Sequence, residues 1–186
     1  PSGDVVVAYK DSAGGALITK GELVLSNLVF DCSQLNNLWM GYNGHSIGVM
    51  TGTVDLAHAT VVWQGNTNLL VTKAALTVGG YSGGTAVGTL RLPGARTNIT
   101  VGSVLRMGTM YGGPNTLDFG TNSAIRSIRV AADCILRAAK FVSHQGGVTS
   151  TGFPAQVALT IGAPGQPAAL YAGYYYGTYF PVSMTN

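Results

Sequence analysis

Apolar and polar residues alternate along most of the chain in short runs rich in Val, Leu, Ile, Thr and Tyr, and glycines separate the runs. Alternation over about four to eight residues places successive side chains on opposite faces, which is typical of a β-strand. The one segment with helix-forming composition, residues 131–142 (AADCILRAAKFV), has strand-like runs on both sides. We therefore predict short strands throughout the chain, this segment included.

The runs follow a degenerate unit: a strand of pattern L-x-Φ-G, where Φ is apolar, then a glycine-rich loop, then a strand of pattern T-Φ-x-Φ. Copies span residues 38–56, 76–92 and 105–119, and a divergent fourth copy with a longer loop spans residues 136–161. The first-strand glycines Gly41, Gly79 and Gly108 recur after 38 and 29 residues. The fourth copy aligns Ala139 with them, 31 residues further on. A period near 30 residues predicts a stacked, repetitive architecture.

A third, less regular strand follows each unit, such as residues 60–63 or 99–102. Three short strands per repeat, with apolar residues alternating inward, predict an all-β solenoid in which each coil pairs with the next at about 4.8 Å. With residues 16–25 as a weak first coil and residues 169–180 as a last one, we expect five to six coils. The stack would be roughly 25 to 30 Å tall on that spacing.

The length of 186 residues is enough to bury a core as one domain. We expect a single domain over residues 1–186: an N-terminal strand and weak first coil (1–37), the degenerate repeats (38–162) and a tyrosine-rich terminal segment (163–186). An antiparallel jelly roll is the alternative, because about eight short strands with glycine turns also satisfy that fold. A jelly roll, however, does not need an internal repeat.

The L-x-Φ-G…G-T-L-x-L rhythm of residues 38–119 resembles the right-handed β-helices of bacterial autotransporter passengers and large surface adhesins. The resemblance covers about two thirds of the chain, and it carries no functional residues over. It implies a right-handed β-helix in an exported, surface-exposed protein that has no chemistry of its own.

Three charged residues occupy the outward x position of T-Φ-x-Φ in successive copies: Asp55, Arg91 and Asp118. If the coils stack in register, these residues form a ladder of alternating sign. Exposed pairs of this kind contribute about 0.2 to 1 kcal/mol each. We expect the ladder to fix the register more than it stabilises the fold.

Charged residues make up only 9 % of the chain, against about 25 % in ordinary soluble domains. The net charge is +3, and six of the ten basic residues lie between Arg91 and Arg137, where Asp118 and Asp133 interrupt them. A nucleic-acid partner is therefore not expected. The charge-free quarter from residue 141 onward is broken by Gly, Pro, Ser and Thr, so we expect no membrane span.

The chain begins at Pro1 and shows no signal peptide, so we expect any export signal to lie upstream of it. An extracellular or cell-surface location fits the implied adhesin-like architecture.

The stretch NGHSIG contains Ser46 in a G-x-S-x-G pattern, which in α/β-hydrolases marks a nucleophile between a strand and a helix. The residues that follow are β-branched and broken by glycine, so the required helix is not predicted. Chain order would allow a triad of Ser46, Asp133 and His144, but we expect Ser46 to lie in a repeat loop and not to be catalytic.

Other catalytic chemistry lacks a pattern. His45, His58 and His144 are scattered, without metal-ligand spacing, and Glu22 is the only glutamate, so paired acids of the glycosidase type are not predicted. We expect no enzyme activity, no metal and no cofactor.

The two cysteines, Cys32 and Cys134, form no C-x-x-C pair and have no histidine at zinc-ligand spacing. They lie 102 residues apart. In a solenoid that separation is about three coils, or roughly 15 Å, which exceeds the reach of a disulfide. We predict two buried, unbonded thiols.

The two chain ends are unusual for a solenoid, whose exposed strand edges are ordinarily blunted by charged or polar caps. The N-terminal end is apolar, and the C-terminal segment YAGYYYGTYF has no charge. We predict that β-strand addition joins copies end to end into a homo-oligomeric fibre or shell. The predicted interface consists of Val5, Val6, Val7, Tyr9, Tyr171, Tyr174, Tyr175, Tyr176, Tyr179 and Phe180.

These patterns lead to a non-enzymatic structural protein, a surface adhesin module or a fibre subunit. Two alternatives remain. A viral coat subunit would use the jelly roll, and a carbohydrate-binding module would bind a surface glycan through tyrosines such as Tyr174.

Overall fold

The computed structural model describes residues 3–10, 18–43, 48–67, 69–80, 85–94, 98–108, 115–121, 125, 127–137, 139–145, 147–151, 157–172, 174–175 and 178–179. The described residues form strands and turns and contain no helix, so the protein is all-β as predicted. Segment 131–142 contributes two strands, which confirms its assignment.

In chain order the strands are β1 (Gly3–Lys10), β2 (Ile18–Asp31), β3 (Leu35–Asn43), β4 (Val49–Val62), β5 (Leu69–Thr72), β6 (Leu76–Gly80), β7 (Thr85–Arg91), β8 (Asn98–Val101), β9 (Leu105–Met107), β10 (Asn115–Thr121), β11 (Ser127–Val130), β12 (Cys134–Leu136), β13 (Ala139–Gln145), β14 (Val148–Thr151), β15 (Ala158–Ile161), β16 (Leu170–Ala172), β17 (Tyr174–Tyr175) and β18 (Thr178–Tyr179).

The strands form three larger sheets. The first sheet has the order β1-β3-β6-β9-β12-β16, the second β2-β4-β7-β10-β13-β14, and the third β5-β8-β11-β15. The named strand pairs in these sheets are parallel except β13–β14, and β17–β18 form a separate antiparallel pair. The chain visits the sheets in the same order repeatedly, and each visit pairs with the one before it. This pairing differs from the antiparallel sheets of a jelly roll.

The register between strands aligns the first three sequence copies as predicted. Leu38 pairs with Leu76 and Leu76 with Leu105 in the first sheet. The predicted fourth copy is wrong by two residues, because Leu105 pairs with Cys134 instead of Leu136. Arg137 therefore takes the place of the repeated glycine, and Ala139 begins the second-sheet strand β13. The segment placed in the second strand of that copy, β15, belongs to the third sheet.

Glycines allow a close crossing between the first and second sheets. Gly41, Gly79 and Gly108 have positive φ angles of 67°, 64° and 97°, which side-chain-bearing residues rarely adopt. A Cβ at Gly52 would lie 2.2 Å from the Gly41 nitrogen, and one at Gly88 would lie 2.2 Å from the Gly79 nitrogen. The glycine of L-x-Φ-G is thus required by the backbone turn, and its second-sheet neighbour by the lack of space.

Inward side chains form the core as columns along the pairing direction. Leu38, Leu76 and Leu105 are buried in one column of the first sheet. In the second sheet the rings of Phe119 and Phe141 stack 6.0 Å apart. Core side chains from the three sheets belong to a single hydrophobic cluster. The same alternation that buries these columns leaves the intervening positions on the outer faces, where a site can form.

Candidate assembly ends and charge ladder

The two predicted end segments lie at opposite edges of the first sheet. Strand β1, with Val5, Val6, Val7 and Tyr9, forms one edge, and β16, with Tyr171, forms the other. The predicted residues Tyr174, Tyr175 and Tyr179 belong to the small β17–β18 pair. The remaining two, Tyr176 and Phe180, lie outside the described residues.

Exposed apolar side chains are concentrated on the edge strands. Within the described part of the chain, the exposed large hydrophobic residues have exposed fractions of 39 to 74 %, and all of them lie on β1, β2, β14 or β16. They are Val6, Tyr9, Ile18, Val24, Leu28, Val29, Val148, Leu170 and Tyr171. Strands β1 and β2 are the edges at the N-terminal end of the first two sheets, and β16 and β14 are the edges at the C-terminal end. Sequence patterns did not identify β2 or β14 as part of these ends.

The core itself is only partly covered at both ends. Five half-buried residues that pack on the core come from β1 and β2: Val5, Val7, Leu23, Leu25 and Phe30. Three others lie on or beside β15 at the opposite end: Val157, Leu159 and Ile161. Apolar area that remains in contact with water at the ends would be buried by another layer of strands.

Charge is divided unevenly between the two ends. Residues 1–62, which include β1 to β4, contain two basic and five acidic residues, a net charge of −3. Residues 63–186 contain eight basic and two acidic residues, a net charge of +6. The two halves of the stack therefore have opposite electrostatic potentials, which favours contact between unlike ends.

The three residues of the predicted ladder are pairing partners: Asp55 with Arg91, and Arg91 with Asp118. The Arg91 guanidinium lies 3.1 Å from a carboxylate oxygen of Asp55. Asp118 contacts His144 instead, at 3.0 Å from its Nε2 atom. Because the Arg91 side chain is 52 % exposed, its ion pair contributes at most about 1 kcal/mol.

Both ladder aspartates also accept hydrogen bonds from the backbone. Asp55 accepts one from the N–H of Ala57, and Asp118 one from the N–H of Gly120, each at 2.9 Å. A carboxylate that binds an N–H two residues later stabilises a local turn. The aspartates therefore support the chain where it leaves the second sheet, a role that the charge alternation did not reveal.

His144 holds the antiparallel strand β14 against β13. Its Nδ1 atom lies 2.9 Å from the Thr149 hydroxyl, and its Nε2 atom contacts Asp118 on β10. Ser143 and Ser150 form a second link between β13 and β14, with their hydroxyl oxygens 2.9 Å apart. These contacts place β14 firmly as the sixth strand of the second sheet.

The hypothetical triad is not assembled around His144 in the described residues. His144 binds Asp118 and Thr149, whereas Asp133 accepts a hydrogen bond from the N–H of Ala169 at 2.9 Å. Ser46 and His45 lie outside the described residues, so their predicted roles stay predictions. Among the described residues no group of three His, Cys, Asp or Glu side chains could hold a metal ion.

Both cysteines are free and fully buried, which confirms that they are not bonded to each other. The Cys32 thiol donates a hydrogen bond to the carbonyl oxygen of Val62 at 3.0 Å. Cys134 lies in the core column of the first sheet, between Leu105 and Leu170.

We expect neither thiol to react with a disulfide reagent in the folded protein, and both to be titrated after unfolding without reductant. Burial raises the pKa of Cys134 from 9.0 to about 11, so the reactive thiolate is scarce at neutral pH. Between these two values the unfolded state releases its proton first, so the folded state should lose stability as the pH rises from 9.0 to about 11. Thiol titration and urea unfolding at several pH values test both statements; fewer than two thiols after unfolding would contradict the first.

Comparison of the chain with protein-family models, with curated proteins and with solved structures finds no match. Across the described ranges, no helix has the length and apolar character needed to cross a membrane. The sheet edges, their exposed side chains and the charges near them are therefore the features on which a function can be argued.

Proposed function

We propose that this chain is a non-enzymatic structural protein, a right-handed β-solenoid whose copies join end to end in an extracellular or cell-surface fibre or adhesin. The observation that carries the proposal is the location of the exposed large apolar side chains on edge strands at the two ends. Edge strands with apolar side chains and unpaired backbone groups bind further strands unless charge or a cap prevents it.

The first sheet supplies a register for the junction. Its core column runs from Val5 through the leucines of β3, β6 and β9 to Cys134 and then Leu170. Continuing the same column across a junction places Val5 of the next copy beside Leu170. The outward column, which contains Val6 and Tyr171, continues in the same way. One copy would then extend the sheet of another by parallel strand addition.

A junction between two different ends is heterologous, and it propagates into a filament unless rotation closes a ring. Unlike charges at the two ends support that arrangement, because the half with net charge −3 meets the half with net charge +6. Like ends would bring charges of one sign together.

Substitution of Val29 by lysine tests the proposal. Val29 is 65 % exposed on the edge strand β2, and a lysine there would place a charge in the apolar junction opposite the positive end. We expect the parent protein to form filaments in negative-stain micrographs and fast-sedimenting species, and Val29→Lys to sediment as a monomer with unchanged β-type circular dichroism.

Thr53→Lys is the matched control. Thr53 adds the same charge but lies within the second sheet, between Glu22 and Thr89, and away from both ends. This variant should assemble like the parent. A parent protein that stays monomeric at high concentration would refute end-to-end assembly, and closed shells would favour a coat subunit.

A further inference from the structure

A cleft of 210 Å³ lies on the first sheet and is lined by Trp39, Tyr42, Ala75, Thr77, Val104 and Arg106. Its position is set by the outward column of the sheet, in which Trp39 pairs with Thr77 and Thr77 with Arg106. The residues come from three successive strands of the interior of the sheet, β3, β6 and β9, and from the positions that precede β6 and β9. The cleft is therefore separate from the edge strands.

A glycine makes room for the arginine in this cleft. Tyr9, Tyr42 and Gly80 occupy equivalent positions on β1, β3 and β6, so a column with two aromatic rings ends at Gly80. A Cβ at Gly80 would lie 2.9 Å from the Cδ atom of Arg106. The arginine stem thus occupies the space above Gly80.

Aromatic rings form a rigid wall of the cleft. The rings of Trp39 and Tyr42 stack with centroids 5.1 Å apart, and those of Tyr42 and Tyr9 with centroids 4.8 Å apart. Ring faces carry partial negative charge and attract the polarised C–H bonds of a ligand that packs on them. Mutual stacking fixes the ring orientations before any ligand arrives, which lowers the entropy cost of binding.

Strong hydrogen-bond donors in the lining outnumber strong acceptors. Arg106 has a permanently charged guanidinium, and guanidinium groups bind carboxylates through two parallel hydrogen bonds. The indole N–H of Trp39 is a donor only, and it lies buried without a hydrogen-bond partner. An unsatisfied buried donor costs about 1 to 3 kcal/mol, which a ligand acceptor would recover if a small shift of the indole brought the two together.

We propose that the cleft binds one acidic sugar unit, with its carboxylate at Arg106 and its C–H face against the aromatic wall. The volume is below the ~300 to 1,000 Å³ typical of sites for drug-sized ligands, so it accommodates a single ring-sized group. A ligand with an anionic group, several oxygen acceptors and an apolar face matches the guanidinium, the indole N–H and the ring surfaces together. Acidic saccharides combine these three properties.

Galacturonate and galactose are suitable probes, because they share a ring and differ at C6, where one has a carboxylate and the other a hydroxymethyl group. In saturation-transfer NMR on the intact protein, we expect galacturonate to bind at least tenfold more tightly than galactose. Its ring C–H protons should receive the strongest saturation. Equal affinity for the two sugars would overturn the role of the carboxylate, and tighter binding of benzoate would show an aromatic-acid site instead.

Arg106→Gln should weaken galacturonate binding at least tenfold, because the charged, bidentate donor is lost. Trp39→Phe keeps a ring and removes the N–H, and should weaken binding by a smaller factor. Arg129→Gln is the control: Arg129 is exposed on the third sheet and its loss lowers the net charge equally. Equal effects of the two arginine substitutions would reduce the site to nonspecific charge attraction and refute it.

Discussion

A double variant with Val6→Cys and Tyr171→Cys should form a ladder of covalent multimers under oxidising conditions. Continuation of the outward column across the junction makes these two residues of neighbouring copies direct partners in parallel strands. Such partners lie about 4.8 Å apart, within the roughly 4.4 to 6.8 Å between the Cα atoms of a disulfide. Both sites are exposed, and the native cysteines are buried, so neither native thiol should compete. Non-reducing electrophoresis would show the ladder, and reductant should collapse it to a monomer.

The pair Asp4→Cys and Tyr171→Cys is the control for register. Asp4 lies two positions before Val6 on the same edge strand, so it is only a diagonal neighbour at about 7 to 8 Å. We expect few multimers from it. Equal cross-linking of both pairs would show end-to-end contact with a register other than the proposed one. Filaments that never cross-link would refute the register alone, and failure to assemble would refute the proposed function.

The repeat determined how much of the fold the sequence predicts. Residues 38–119 contain both the apolar columns and the glycines of the sheet crossing, so alignment of the three copies predicts the observed register. The fourth copy has Arg137 where Gly108 stands in the third, which removed the marker used for alignment. Leu136 was then matched to Leu105, although it pairs with Met107.

The ends illustrate a different limit of sequence analysis. An apolar edge strand and an apolar inner strand have the same alternation, and only the sheet order shows that β2 lacks an outer neighbour. The partner of Asp118 was also missed, because His144 reaches it from the strand that pairs with antiparallel β14. No repeat predicts such a local reversal.

The cleft could have been found from the repeat itself. Trp39, Thr77 and Arg106 occupy the x position of L-x-Φ-G in the three aligned copies, just as Asp55, Arg91 and Asp118 occupy that of T-Φ-x-Φ. Only the second column was compared for charge. The spacing between Trp39 and Arg106 along the chain hides their proximity, which arises because each repeat advances the stack by one strand spacing.

Gly52→Ala should be among the most destabilising single-atom additions in this protein. The new Cβ would lie 2.2 Å from the Gly41 nitrogen, 2.5 Å from the Val7 oxygen and 2.8 Å from the Met40 carbonyl carbon. All three are backbone atoms, so no side-chain rotation relieves the contact, and the first and second sheets must separate. We expect a loss of about 3 kcal/mol or more in the free energy of unfolding, in urea titrations followed by circular dichroism.

Gly3→Ala provides the comparison, because a Cβ at Gly3 would meet nothing within 4 Å. Its expected change is below about 0.5 kcal/mol, typical of an open surface position. Helix and strand propensities change alike in the two variants, so a difference between them measures the sheet crossing. A soluble Gly52→Ala protein with the stability of Gly3→Ala would mean that the sheets do not approach closely at Gly41. A Gly52→Ala protein that fails to fold, while Gly3→Ala folds normally, would support the crossing as the tightest backbone contact between the first two sheets.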